Sequence, residues 1–134
     1  MRSKGRGTGK EASAHIVQEV PAALRQELER SGGLEKVKSS LPSEDDMDVW
    51  SQRMQALGDP LRLKVMHILK SKPLCVCLIK ELCQAPDSKL SYHLSVLKDA
   101  GLIEGEQDGN WIIYRATPVA KRLLKVMDKD QGGR

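Results

Sequence analysis

Apolar positions along the chain follow a helical rhythm from residue 43 onward and no clear rhythm before it. Met47, Trp50, Met54 and Leu57 recur at spacings of three and four. Ser43 stands ahead of them as an N-cap, with Glu44, Asp45 and Asp46 where the helix dipole favours acids. Gly58 ends this helix, and Asp59-Pro60 opens the next as N-cap and first helical residue. Leu61, Val65, Ile68 and Leu69 mark its buried side before Ser71-Lys72-Pro73 breaks it. The pattern then predicts a third helix over about 75–84 and a tight Ala85-Pro86-Asp87 turn with Asp87 as N-cap. A fourth helix follows over about 87–100 and stops at Gly101. Two β-rich runs, Leu102–Gln107 and Trp111–Ala116, join through Asp108-Gly109, a strong hairpin signal. Thr117 caps a last helix with Val119, Leu123, Leu124 and Met127 as its stripe.

This pattern predicts a mainly α fold with a small β-hairpin wing, a winged helix-turn-helix in the order α-α-α-α-β-β-α, over residues 43–130. Residues 11–42 read as an N-terminal extension with short helices, where Leu24 and Leu28 sit at helical spacing between the breaks at Pro21 and Gly32-Gly33. Residues 1–10 carry Arg2, Lys4, Arg6 and Lys10 with nothing apolar to bury, which predicts a disordered basic tail, either solvated or laid on DNA. Residues 131–134 are expected to fray.

Composition sharpens the picture only in places. Hydrophobic residues make up 40% and charged residues 30% of 134, with no Phe, two Trp and two Tyr, so the core must come from Leu, Val, Ile and Met. No apolar run approaches a membrane span, and the basic N-terminus lacks the apolar core of a signal peptide. A cytoplasmic protein with no membrane partner is expected. The net charge of +4 is compatible with a polyanionic partner without identifying one. Three cysteines, an odd number, argue for free, reactive or metal-binding thiols rather than a disulfide framework.

Function is carried by the fourth helix. With Leu90, Leu94 and Leu97 turned to the core at about 100° per residue, Ser88, Ser91, Tyr92 and Ser95 face the opposite way. Lys89 and His93 fall on the flanks. Small hydrogen-bonding side chains on an exposed helix suit a DNA groove, where a merely solvated face would carry more Glu and Lys. At the hairpin, Glu106 and Asp108 weaken a grip on phosphate, leaving Asn110 and Arg115 as the DNA-side candidates. Trp111 and Tyr114 are expected in structural roles.

The run Ala56-Leu57-Gly58-Asp59-Pro60-Leu61-Arg62, then Leu74-Cys75-Val76-Cys77-Leu78 and Ser88-Lys89-Leu90-Ser91-Tyr92-His93-Leu94, closely resembles the ArsR/SmtB family of metal- and metalloid-responsive repressors. Leu97-Lys98-Asp99-Ala100-Gly101-Leu102-Ile103 and Gly109-Asn110-Trp111-Ile112-Ile113-Tyr114-Arg115 extend the likeness to about residues 46–128. The resemblance implies a homodimer joined through the first and last helices of the domain. It further implies repression by binding double-stranded DNA at a palindromic operator, and release when an effector is sensed.

Within that resemblance, Cys75 and Cys77 match the site for arsenite or thiophilic metals, and soft thiolates suit As(III), Sb(III), Cd, Pb or Cu(I) as inducer, with no obligatory cofactor. On a regular helix the two side chains diverge by about 200°, so sharing an ion would require the first turn to unwind. Lys80 stands where the arsenite pattern has its third thiol. Cys83, about 12 Å from Cys75 along a helix, is a less favoured ligand and reads as a core residue. Residues 117–130 contain no His, which disfavours a zinc site on the last helix, and His15, His67 and His93 are scattered singly.

Three rival readings remain. Thiol oxidation, with disulfides between subunits, would replace metal sensing. A winged helix serving protein contact alone would lack an operator. An enzyme has little support, since no phosphate loop, paired-carboxylate signature or neighbouring Cys and His is present, and no catalytic residue is expected.

Overall fold

The computed structural model describes residues 15–130; the basic tail expected over 1–10 and the fraying expected over 131–134 lie outside the described residues. The described residues form two units that part between Ser43 and Glu44. In the first, residues 15–19 are helical, followed by α1 (Ala22–Arg30) and α2 (Gly33–Ser40), and no residue of α1 or α2 is buried.

The second unit runs α3 (Glu44–Leu57), α4 (Pro60–Leu69), β1 (Leu74–Cys75), α5 (Val76–Cys83), α6 (Asp87–Asp99), β2 (Ile103–Asp108), β3 (Trp111–Ala116) and α7 (Pro118–Lys129). The expected winged helix-turn-helix is present, with α5 and α6 as the helix pair and β2–β3 as the wing. One core holds it together: Val65, Met66 and Leu69 from α4, Ile79 from α5, Leu90, Leu94 and Leu97 from α6, Leu102 and Ile103 entering the wing, and Leu124 from α7. Each such side chain contributes about 1.5–3 kcal/mol when fully withdrawn from water. Met66 is a core residue that the apolar pattern did not single out.

Helix ends are fixed by specific groups. Asp59 Oδ2 accepts from the backbone N–H of Leu61 at 2.9 Å and of Arg62 at 3.1 Å, and Pro60 follows as the first helical residue. Those bonds, with that of Arg62 first, hold the Asp59 carboxyl below its ordinary value. At the far end of α6, Leu102 N bonds Leu97 O and Gly101 N bonds Lys98 O, both at 3.0 Å, with Gly101 at φ 75°. This is the crossed pair of bonds that closes a helix on a left-handed glycine. Thr117 caps α7 by accepting from Ala120 N and also donates to Gly101 O at 2.8 Å, tying the last helix to the end of α6.

Four local expectations are corrected. The third helix starts at Val76, not 75: Leu74 and Cys75 form a short strand against β3, pairing Leu74 with Tyr114 and Cys75 with Ile113, so the sheet has three antiparallel strands in the order β1-β3-β2. Two residues are too few for an alternation signal to show in sequence. Asp87 is the first residue of α6 rather than its N-cap, which is Pro86; its carboxylate instead meets Lys80 Nζ at 2.6 Å. The α5–α6 turn passes through Gln84 in the left-handed region, φ 53°, with Gln84 N on Lys80 O at 2.8 Å. The hairpin turn is Gly109-Asn110 rather than Asp108-Gly109, with Asp108 paired to Trp111 and Gly109 at φ 60°. A glycine at the first turn position is what a two-residue hairpin of this handedness requires.

Candidate nucleic-acid interface and dithiol site

Helix α6 divides cleanly into two faces. Leu90, Leu94 and Leu97 are buried, whereas Ser88, Lys89, Ser91, Tyr92 and Ser95 are exposed, Tyr92 at 61%. Together these five give a surface of hydroxyls, one phenol and one ammonium on a helix that its leucines fix to the core.

His93 departs from the expectation of a DNA-side flank. It is 7% exposed and turned inward, with Nδ1 2.8 Å from Arg62 Nη1 and 3.8 Å from Asp59 Oδ2; its ring meets that of Tyr92 edge-on at 5.2 Å. A guanidinium only donates, so His93 Nδ1 is the acceptor. Arg62 also donates through Nε to Ala56 O at 2.6 Å. One arginine thereby ties the end of α3, the start of α4 and the middle of α6. Arg62 was missed in the sequence because its partner lies 31 residues away and no local spacing announces the pair.

At the wing, Asn110 is exposed at the tip, as are Glu106 and Asp108. Arg115 is half-buried and engaged with Glu106 at 2.9 Å, so its charge is partly neutralised within the wing. Tyr114 packs against the core, while Trp111 is 57% exposed and does not share the structural burial expected of it.

The thiols are arranged differently from a regular helix. Cys75 is the N-cap residue of α5, extended at φ −74° and ψ 159°, and Cys77 is the second helical residue. This brings the two sulfurs to 2.6 Å with no unwinding, correcting the expected divergence. The helical projection failed because one member stands outside the helix. The contact with the Cys77 thiol and then the Leu78 backbone N–H draw the Cys75 pKa below the ordinary thiol value. The same contact pushes the Cys77 thiol up. Cys83 is buried, which raises its thiol as well, and it lies apart from the pair. Among the described residues no group of three or more His, Cys, Asp or Glu side chains is placed to hold a metal ion.

The sign of these shifts sets an expected order of reaction. Thiolate is the nucleophile, so with iodoacetamide near neutral pH Cys75 should alkylate first, its rate rising through a midpoint below the ordinary thiol value. Cys77 and Cys83 should need higher pH. Peptide mapping that found equal rates at all three would contradict the assigned hydrogen bond.

Two contacts run outward from the dithiol. Cys75 pairs with Ile113 of the wing strand, and Lys80, one turn after Cys77, pairs with Asp87 at the start of α6.

Residues 59–104 match the family described as bacterial regulatory protein, arsR family. The chain is 37% identical over 83 residues to the arsenical resistance operon repressor of Escherichia coli, covering 58% of this chain and 68% of that protein. The chain belongs to the ArsR family. The arsenical resistance operon repressor of Bacillus subtilis is 42% identical over 66 residues, 48% of this chain and 63% of its own length. Among solved structures, a homodimeric winged helix-turn-helix DNA-binding domain from Mycobacterium bovis, a possible ArsR-family transcriptional regulator, superposes with a TM-score of 0.59 at 22% identity, over 69% of this chain and 92% of that one. That likeness shows the fold. As a member of the ArsR family the chain is a DNA-binding transcriptional regulator, and that family is one of regulators rather than enzymes. No helix among the described residues is long and apolar enough to cross a membrane.

Proposed function

We propose that this ArsR-family chain is a homodimeric repressor that reads a palindromic operator with the outer face of α6 and lets go when Cys75 and Cys77 bind a soft metalloid, As(III) or Sb(III), or a thiophilic metal ion. The observation that carries the DNA half is the exposed Ser88, Lys89, Ser91, Tyr92 and Ser95 on a helix anchored by Leu90, Leu94 and Leu97. Asn110 and Arg115 add backbone contacts from the wing. Tyr92→Ala should weaken operator binding by about 1–3 kcal/mol, read by fluorescence anisotropy on DNA from upstream of its own gene. Its Tm should hardly move. An unaltered affinity would remove Tyr92 from the interface.

Dimerisation is supported by apolar surface that one chain leaves open. Met47, Trp50 and Met54 on α3 are 44%, 42% and 48% exposed, and Val126 on α7 is 66% exposed. Met54, Leu57, Leu123, Val126 and Met127 line an apolar hollow of about 340 Å³. A two-fold partner would cover this surface and set two α6 helices about one DNA turn apart. Light scattering should give twice the chain mass at micromolar concentration; a monomer there would contradict the arrangement.

The sensing half rests on the paired thiols and on the names of the arsenical-resistance relatives. A soft trivalent centre exchanges two thiol protons for two bonds to sulfur. The sulfurs of Cys75 and Cys77 hold it, and their movement is felt on two sides. Cys75 is bonded into the sheet that carries the wing, and α5 reaches α6 through Lys80 and Asp87. A coupling of about 1–3 kcal/mol would change operator affinity about 5–150-fold, enough for a switch.

The short sulfur separation also favours a second reading, oxidation. Peroxide would take two electrons and two protons from the pair, closing Cys75 to Cys77 within one chain rather than between subunits and leaving two waters. A peroxide arm belongs in every effector titration.

A further inference from the structure

We propose that the bond between Arg62 and His93 sets the rotation of α6 about its own axis, so that both are positioning residues for operator recognition. This rests on the reading of α6 as the DNA-facing helix and adds what fixes its reading face.

Among the described residues His93 is the one buried polar side chain, on an inward face otherwise built of Leu90, Leu94 and Leu97. Burying an imidazole costs free energy unless its nitrogens are satisfied, and a fourth apolar side chain would carry no such cost. Folding alone gives no reason for a histidine here. What histidine adds is direction. Leucine packing is non-directional and tolerates small rotations of a helix, whereas a hydrogen bond weakens steeply once its angle is lost. At the roughly 5–6 Å radius of a helix with its side chains, a turn of about 10° carries a side-chain end about 1 Å. A binding face needs placement within about 0.5 Å.

The bond starts from a fixed origin. Arg62 is held at the start of α4, where its backbone N–H donates to Asp59 Oδ2 at 3.1 Å. Its Nε donates to Ala56 O at 2.6 Å, and its Nη1 to His93 Nδ1 at 2.8 Å. A guanidinium is a rigid planar fork, so the end of α3 and the start of α4 together dictate the direction from which His93 is gripped. Tyr92 meets the same imidazole edge-on at 5.2 Å, which hands that direction to the exposed side of α6. Helix α3 also carries Met47, Trp50 and Met54, the surface offered to a second copy. The grip on Ala56 O therefore registers each reading face against the dimer contact, as a two-fold operator demands.

The test compares the full-length parent with His93→Leu, His93→Gln and Arg62→Met, on operator DNA from upstream of its own gene and on a scrambled duplex of equal length. Salt is held constant, and the readout is the ratio of the two affinities, with Tm alongside. Partial unfolding lowers both affinities together and leaves the ratio as it was. A turned α6 loses base contacts yet keeps the phosphate attraction that carries non-specific binding. His93→Leu and Arg62→Met should each lower the ratio about 10-fold, the worth of roughly one base contact. His93→Gln, whose side-chain oxygen can accept from Arg62, should stay within about 3-fold of the parent. If His93→Leu and Arg62→Met keep the parent ratio, the bond serves burial alone and the inference falls, with the α6 reading intact. If His93→Gln drops as far as His93→Leu, the bond is not what orients α6, and the inference falls again. A parent protein that bound both duplexes equally would remove the reading of α6 on which the inference rests.

Discussion

Cys75→Ser and Cys77→Ser should each abolish effector-driven release while binding operator DNA with the affinity of the parent protein. The sulfurs lie 2.6 Å apart at the N-terminal edge of α5, and neither cysteine belongs to α6, so exchanging one sulfur for oxygen changes the proposed ligand site and leaves the exposed residues of α6 in place. A single remaining thiol forms one bond to a soft centre where the pair forms two, and the separation of the sulfurs no longer constrains β1 and α5. The loss should be nearly complete in each single variant. Cys83→Ala, by contrast, should respond normally and lose some stability, since Cys83 is a core residue. A Cys75/Cys77 double variant that still released DNA on addition of the effector would overturn this assignment.

Leu97→Ala should cost about 2–5 kcal/mol of folding stability and lower Tm by roughly 10 °C or more at fixed protein concentration. Leu97 is fully buried in the centre of the core, and its carbonyl accepts the bond from Leu102 that closes α6. The cavity would therefore open beneath α6 itself. Operator affinity should fall with it under conditions where the variant is only partly folded and recover on cooling. A Tm within a degree or two of the parent would mean that α6 is not seated by its leucines. Tyr92→Ala, on the same helix but facing water, should show the reverse: operator affinity lost, Tm kept.

How far the sequence carried the structure varies with range. The spacing of Leu90, Leu94 and Leu97 set both the buried side of α6 and, by exclusion, its outer face, because helical periodicity is local and strong. Asp59-Pro60 and Thr117-Pro118 marked helix starts for the same reason. What escaped depends on residues distant in sequence. The strand Leu74–Cys75 exists only because β3 pairs with it, and that pairing places Cys75 outside α5 and brings its sulfur to Cys77. His93 looked like a flank residue at its helical angle, yet Arg62, 31 positions earlier, supplies the partner that makes its burial tolerable.

The central claim is that occupancy of Cys75 and Cys77 frees the operator. It is tested most directly by holding the reduced wild-type protein on fluorescent operator DNA at constant salt and adding arsenite, antimonite, Cd(II), Zn(II) or peroxide while anisotropy is recorded. The prediction is release by arsenite or antimonite at about one equivalent per chain, with loss of two titratable thiols and no release by Zn(II). Anisotropy that stays at the bound value with both thiols occupied would contradict it.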